Sequence, residues 1–228
     1  MRLMSAFTVG LCLAAASPAV AQLSTNAQAA SIRRPPAAKA RIGVRAYGLV
    51  EHESLKAANS FNAVLGTSSL TFTGGGADVV SLWKGAFFRL DGARAKKSGT
   101  RVFLDGTTPI SLNIPLTVTM TPIEIGGGWR FAPLDRGRHL VPYAGAARLI
   151  LRYRETSQFS ASGENSDESF GGSAIFGGVD VAIGFVRVAA EGVYRHVPNA
   201  LGAGGVSQGL NENNLGGGAI RLAVGIGF

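Results

Sequence analysis

Residues 217–228 read Gly-Gly-Ala-Ile-Arg-Leu-Ala-Val-Gly-Ile-Gly-Phe. From Ile220 onward every even position is large and apolar: Ile220, Leu222, Val224, Ile226 and Phe228. The odd positions, Ala219, Arg221, Ala223, Gly225 and Gly227, are small or charged. A strand sends successive side chains to opposite faces, so this segment has one apolar face and one small, ionic face. In water a terminal strand with a bare edge invites aggregation, and closing a barrel removes the edge. Hydrocarbon outside and a narrow polar interior suit the two faces. The segment is predicted to be the last strand of a transmembrane β-barrel.

The opposite end of the sequence points to export. Met1-Arg2 is a short basic start, residues 7–16 form an apolar run, and Ala19-Val20-Ala21 is a small-x-small cleavage site before Gln22. That pattern reads as a secretory signal peptide over 1–21, too short to span a bilayer. Cys12, the one cysteine, falls within it, and Leu11 before it does not suit a lipoprotein site, so no disulfide is expected. Residues 22–40 are rich in Ala, Ser and Pro around Arg33-Arg34-Pro35-Pro36 and lack periodicity. They read as a flexible periplasmic arm, with a small cell-wall tether as the alternative. The remainder, 41–228, fits one barrel domain. The chain is 46% hydrophobic with 32 glycines, yet no run after the signal is long enough for a membrane helix. The net charge of +8 admits nucleic acid, acidic lipid or acidic polymer as partners. Export argues against nucleic acid; a solvated surface plus lumen charges is the plain reading, and outer-membrane lipids are an expected partner.

Eight strands are predicted, at 41–51, 71–83, 86–95, 116–131, 139–154, 170–182, 185–196 and 217–228. Connections after the second, fourth and sixth are short. Those after the first, third, fifth and seventh are long, at 53–70, 96–115, 155–169 and 197–216. Short periplasmic turns, long extracellular loops and an even strand number are the pattern of an outer-membrane barrel. The fold class is therefore all-β, an eight-stranded antiparallel up-and-down barrel with both termini periplasmic. A soluble lipocalin-like carrier, with an apolar interior, is the fold-level rival.

Face parity extends along the chain. In the fifth strand Val141, Tyr143, Ala147, Leu149, Leu151 and Tyr153 share one face and Arg148, Arg152 and Arg154 the other. In the seventh, Val186, Val188, Ala190 and Tyr194 oppose Arg187, Glu191 and Arg195. In the sixth, Ile175, Val179, Val181 and Ile183 oppose Asp180. In the fourth, Ile123, Ile125, Trp129 and Phe131 oppose Glu124 and Arg130, but Val118 and Met120 break parity above Pro122, which suggests a bulge or an extension past the membrane. An Arg or Lys facing lipid at mid-membrane costs about 2–4 kcal/mol, so charges are expected to point inward. The expected lumen network is Arg41, Arg45, Glu51, Asp78, Arg89, Asp91, Glu124, Arg130, Arg148, Arg152, Asp180, Arg187, Glu191 and Arg221. Side chains just fill an eight-stranded barrel, so these charges must pair, with arginine suited by its bidentate geometry. Trp83, Trp129, Phe131, Phe185 and Phe228 are expected at a periplasmic aromatic belt, and Tyr153 and Tyr194 at the outer one.

The signal peptide, the Val141-Pro142-Tyr143-Ala144-Gly145 segment, the alternating strands and the terminal Gly225-Ile226-Gly227-Phe228 resemble small outer-membrane β-barrel proteins of the OmpA/opacity type. The resemblance covers 41–228. It implies that the terminal strand is read by the barrel assembly machinery during biogenesis. A monomer is expected. The wall-binding domain of OmpA-type proteins would follow the barrel, so a wall-anchoring role is expected to be absent or left to the basic arm.

No chemistry is expected. His52, His139 and His196 lack a His-x-Ser arrangement of the lipid A deacylase kind, and read as hydrogen-bonding rim residues. Glu164, Asp167 and Glu168 match no calcium loop, and read as a solvated charge cluster. Gly74-Gly75-Gly76 and Gly126-Gly127-Gly128 lack the Lys-Ser/Thr of a phosphate loop and read as close-packing sites. Asn211-Glu212-Asn213-Asn214 reads as a polar loop tip. Lys56, Arg94, Lys96, Lys97 and Arg101, near the outer loops, suit phosphates of an anionic leaflet by sign. Catalytic residues, cofactors and metals are expected to be none. The expected function is a structural or surface-interaction role through the long loops, with a plugged lumen and an unidentified surface ligand. A narrow channel for small solutes is the alternative, and a lipid-modifying enzyme the third reading.

Overall fold

The computed structural model describes residues 42–106, 108–131, 139–157, 165–201 and 205–227. The segments assigned to the signal peptide and the basic arm lie outside the described residues. The strands are β1 (Gly43–Leu55), β2 (Ser69–Val80), β3 (Ala86–Asp105), β4 (Thr108–Arg130), β5 (Leu140–Ser157), β6 (Ser166–Ile183), β7 (Val186–His196) and β8 (Gly217–Gly227). Each pairs antiparallel with the next, and β8 pairs with β1 from Leu55↔Gly217 to Arg45↔Gly227, which closes the barrel. The ladder climbs as it circles. Val44 pairs with Val79, and the succession Phe88, Gly127, Ala146, Ile175, Tyr194 and Gly218 returns to Ser54, ten residues along β1. An offset of that kind requires strands inclined by about 35–45° to the barrel axis.

The alternation of residues 217–228 sets the two surfaces. Ile220, Leu222, Val224 and Ile226 are exposed on the outside, and Ala219 and Arg221 are buried within; Phe228 lies outside the described residues. Val44, Val50, Phe88, Leu90, Ile125, Ile150, Ile175 and Ile183 extend the apolar exterior. Trp83 and Trp129 meet edge to face at 5.7 Å at the end of the short turns, where Phe131 and Phe185 are also exposed. Tight turns at that end use left-handed residues, Lys84 and Gly85 before β3 and Gly184 before β7.

One strand is inverted relative to expectation. In β5, Leu149, Leu151 and Tyr153 are buried inside the barrel, and Arg148, Arg152 and Arg154 project outside. Tyr153 is therefore not an outer-belt residue. Nor does β4 slip at Pro122. Ile123↔Gly92 and Met120↔Ala95 continue one register across it, and the shift falls farther out, between Thr100 and Val102. Val118 and Met120 point inward like Glu124. One cause explains both corrections. In the outer half, the interior changes from ionic to apolar, with Phe72, Leu116, Val118, Met120, Leu149, Leu151 and Leu215 in one core cluster. The strands keep their phase while the chemistry of the inside changes.

The expected loop 96–115 is instead a hairpin that continues β3 and β4 beyond the barrel wall, with Phe103↔Ile110 paired near its tip. Between β1 and β2 lies α1 (Ala58–Leu65), which drops Phe61 and Leu65 onto the apolar core and ends at Gly66 with φ 71°. Gly66 supplies the left-handed C-cap that a side chain would resist. Its N-terminus has no cap from its own segment. Glu212, from the β7–β8 connection, accepts the Asn59 and Ser60 N–H groups at 3.0 and 2.8 Å. Asn214 accepts from the Val197 and Gly216 N–H groups at 3.1 and 2.8 Å. The expected polar loop tip is a clamp on backbone donors that would otherwise lack partners. The short α2 (Gly205–Gly209) packs against Leu104 of the β3 extension.

Replacing Glu212 with Ala should cost α1 about 1 kcal/mol, the usual value of a lost N-terminal cap. Amide hydrogen exchange should then speed up at Asn59 and Ser60 while the β1–β8 amides stay protected. Unchanged exchange at both positions would show that Glu212 does not hold the helix.

Candidate functional site

Two-residue alternation delivers a set of charges to the middle of the lumen. β1 supplies Glu51 and Glu53, β3 Arg89 and Asp91, β4 Glu124, β7 Glu191 and Arg195, and β8 Arg221; all are buried. Arg221 pairs with Glu51 at 2.7 Å, Glu124 at 3.0 Å, and Asp91 and Glu191 at 3.1 Å. Arg195 pairs with Glu51, with Glu53 at 2.5 Å and with Glu124 at 2.6 Å. Arg89 pairs with Glu191 at 2.5 Å, Asp91 at 2.9 Å and Glu124 at 3.3 Å. Each guanidinium thus binds carboxylates from at least two other strands, and Glu124 receives all three arginines. The planar five-donor fork of arginine makes such sharing geometrically feasible, where a lysine ammonium would act as a point charge.

A second layer lies toward the short turns. Arg45 bridges Asp78 and Asp180, and Arg130 reaches Asp180 at 2.7 Å. Tyr47 donates its hydroxyl to Asp91 and links the layers. Gly76 makes that bond sterically feasible. A Cβ there would sit 2.2 Å from Asp91 Oδ1, 2.7 Å from the Leu90 carbonyl and 2.8 Å from the Tyr47 ring. The Arg89 guanidinium lies 3.4 Å from the centroid of Phe176, which packs with Phe87 and Tyr143. A cavity of about 50 Å³ opens between the layers, lined by Arg45, Asp78, Tyr143, Asp180, Arg187 and Glu191. That is room for a few waters. Arg187 has no ion pair among the described residues.

Of the expected network, Arg45, Glu51, Asp78, Arg89, Asp91, Glu124, Arg130, Asp180, Arg187, Glu191 and Arg221 point into the barrel. Arg148 and Arg152 do not. They stand outside, and Arg152 is 62% exposed, 3.5 Å from Asp167. Arg152 lies level with Thr121, where the exterior has turned polar; Arg148 starts lower, paired with Ile125, and its guanidinium reaches Gly171 of β6. Arg41 lies outside the described residues. The expected set omits Glu53 and Arg195, both of which belong to the hub. Arg195 lies within the predicted seventh strand and shares the parity of Arg187 and Glu191; Glu53 shares the parity of Glu51 and lies two residues past the predicted end of the first strand.

The histidines bind neighbours at the rim: His52 Nδ1 lies 3.3 Å from Thr71 Oγ1, and His196 Nδ1 2.7 Å from Asn214. Of the acidic patch, Asp167 pairs with Arg152 and Arg154, and Glu168 accepts from Ser166 at 3.1 Å. Among the described residues, no group of three His, Cys, Asp or Glu is placed to hold a metal ion.

No protein-family model matches the chain, and no curated protein sequence does. Two solved barrels share its outline. The N-terminal β-barrel domain of Pseudomonas aeruginosa OprF is 12% identical with a TM-score of 0.43, over 82% of this chain and 97% of that one. Ail, the attachment invasion locus protein of Yersinia pestis, is 10% identical with a TM-score of 0.44, over 82% and 98%. At these values nothing about the site or activity of this chain follows from either. The closed, eight-stranded, up-and-down architecture is that of the small outer-membrane barrels which the sequence resembles.

Replacing Arg195 with Ala should strand Glu51, Glu53 and Glu124 and destabilise the barrel by about 3–5 kcal/mol. Glu53→Gln should cost less than about 1 kcal/mol, because one Glu53 oxygen has no hydrogen-bond partner among the described residues. Urea unfolding in lipid vesicles measures both. Equal costs for the two variants would contradict the described hub.

Proposed function

We propose that the chain is a structural and surface-interaction barrel of the bacterial outer membrane, its lumen closed by ion pairs and by the apolar core above them. One observation carries the reading. Across the mid-strand positions that face outward, from Val44 to Val50, Thr73 to Val79, Phe88 to Gly92, Ile123 to Trp129, Pro142 to Ala146, Ile175 to Ile183, Val186 to Tyr194 and Ile220 to Ile226, no Lys, Arg, Asp or Glu occurs. Arg148 stands just past that band on β5; the charges within its depth are inside, and all but Arg187 are paired among the described residues. Such an exterior is costly in water and suited to hydrocarbon. The opposite arrangement, an apolar cup with a polar exterior, is what a soluble carrier needs.

Three features favour closure over conduction. The hub spans the lumen from β1, β3, β4, β7 and β8. The core beyond it is packed, with Phe72, Met120 and Leu149 no more than 1% exposed. Helix α1 then covers that core. Short turns share an end with Gly43 and Gly227, which supports the reading that both ends of the barrel are periplasmic. At the other end, one face of the β3–β4 hairpin meets α2 through Leu104, while Phe103, Ile110 and Leu112 on the hairpin stay exposed. Beside it is a cleft of about 480 Å³ lined by Phe61, Leu65, Leu116, Tyr153 and Phe170 among others. An exposed apolar hairpin beyond the membrane is a contact surface for a partner. The chain acts as a monomer, with lipids around it and the assembly machinery as its partner during insertion.

Cell fractionation should place the protein in the outer membrane as a heat-modifiable band. Planar bilayers should record no steady openings. Recovery without detergent would remove the membrane reading. Steady conductance would replace closure with the narrow channel, and an altered lipid A profile on expression would revive the enzyme.

A further inference from the structure

The arginines that leave the lumen assemble a surface of their own. On the outward face of β5 the sequence runs Pro142, Ala144, Ala146, then Arg148, Ile150, Arg152 and Arg154. On β3 it runs Phe88, Leu90, Gly92, then Arg94 and Lys96. On β4, between them, Ile125 and Ile123 give way to Thr121, Thr119 and Thr117. Thr121 pairs with Arg152 and falls between the rungs Ile123↔Gly92 and Met120↔Ala95, so Arg94, Thr121 and Arg152 mark one level on three adjacent strands, while Arg148 starts lower, paired with Ile125. The register fixes their neighbourhood. Lys96 pairs with Thr119, and Thr119 with Arg154; Thr121 pairs with Arg152. Lys96 and Arg154 are therefore about 10 Å apart across one threonine, two strand spacings. Arg148 lies flat over Gly171 of β6, where a Cβ would come within 3.1 Å of its Nη2. Asp167 is the carboxylate that reaches this surface, at 3.5 Å from Arg152 and 3.8 Å from Arg154. Arg152 and Arg154 both remain 62% exposed.

We propose that Arg94, Lys96, Arg148, Arg152 and Arg154 form an exterior seat for the phosphorylated headgroup of an outer-leaflet lipid. This rests on the membrane reading above. Five cations against one carboxylate leave a strong positive excess where acyl chains end and headgroups begin. Long cationic side chains at that level keep their stems on the apolar wall and present their charge to the headgroups. Arginine forks suit the paired oxygens of a phosphate monoester, and the threonine row between them supplies neutral donors. Ile150, exposed between Arg148 and Arg152, offers an apolar contact for an acyl chain beside the charge. A soluble partner would have to approach these side chains from within the lipid layer, which selects a lipid as the occupant.

The test uses the full chain refolded into phosphatidylcholine vesicles, with and without a diphosphorylated glycolipid, and with the same glycolipid dephosphorylated. Wild type should unfold in urea about tenfold more slowly with the phosphorylated lipid only, and salt should weaken the effect. A variant carrying R94Q, K96Q, R148Q, R152Q and R154Q should insert normally and lose the difference. A variant with Lys at the four arginines should keep most of it, and R152Q with R154Q alone should lose part. An equal response of wild type and the glutamine variant overturns the seat. So does a wild-type response reproduced by inorganic phosphate, which would make the ligand a free anion. Failure of wild type to insert into plain phosphatidylcholine removes the membrane reading itself, and the seat with it.

Discussion

A charge inside a narrow cylinder clad in apolar side chains has to be met by an opposite charge on another strand. That constraint governs the interior. A guanidinium or carboxylate left alone there carries a desolvation cost of several kcal/mol, so the partners must arrive together and in register. Glu124 takes Arg89 from the neighbouring strand and Arg195 and Arg221 from across the barrel. Moving any of these strands by one residue would turn its charge out to lipid and an apolar group in. Buried ion pairs contribute little net stability against apolar replacements, but they discriminate strongly among pairings. The hub fixes which rungs of the ladder align, and the ten-residue climb around the barrel follows from that alignment.

Packing between the layers depends on what is missing from side chains. Tyr47 can reach Asp91 because Gly76 has no Cβ. At Gly126 a Cβ would lie 2.3 Å from the Ala146 carbonyl. Glycine loses conformational entropy in a strand, and here the loss is offset by large side chains brought close to a neighbouring backbone. Aromatic rings then seal the lower interior, with the Arg89 charge stacked on the face of Phe176 rather than left to bare hydrocarbon.

Much of this was legible in the sequence because period two survives wherever the two faces meet opposite media. β8, β7, β6 and the lower part of β4 show that clearly. The inversion of β5 marks the limit of the inference. Leu149, Leu151 and Tyr153 look like lipid-facing residues by hydrophobicity, yet they fill the inside above the hub. Arg148, Arg152 and Arg154 look like lumen charges, yet they stand outside. Hydrophobicity identifies two faces; it does not say which face is in once both media change along the strand. Cross-strand registration with Thr121 and Thr119 settles it, and that information lies in another segment. The β3–β4 extension was illegible for a related reason: with solvent on both sides of much of the hairpin, its residues keep no simple alternation. The capping of α1 by Glu212 joins segments more than 150 residues apart, with no local motif to betray it.

The hub also has a temporal meaning. Glu51 and Glu53 lie on the first strand to leave the ribosome, while their arginines, Arg195 and Arg221, lie on the last two. Until those late strands arrive, the early carboxylates have no counter-ion and are better kept in water than in a bilayer. Closing the hub therefore waits for β7 and β8, the strands that bring both arginines.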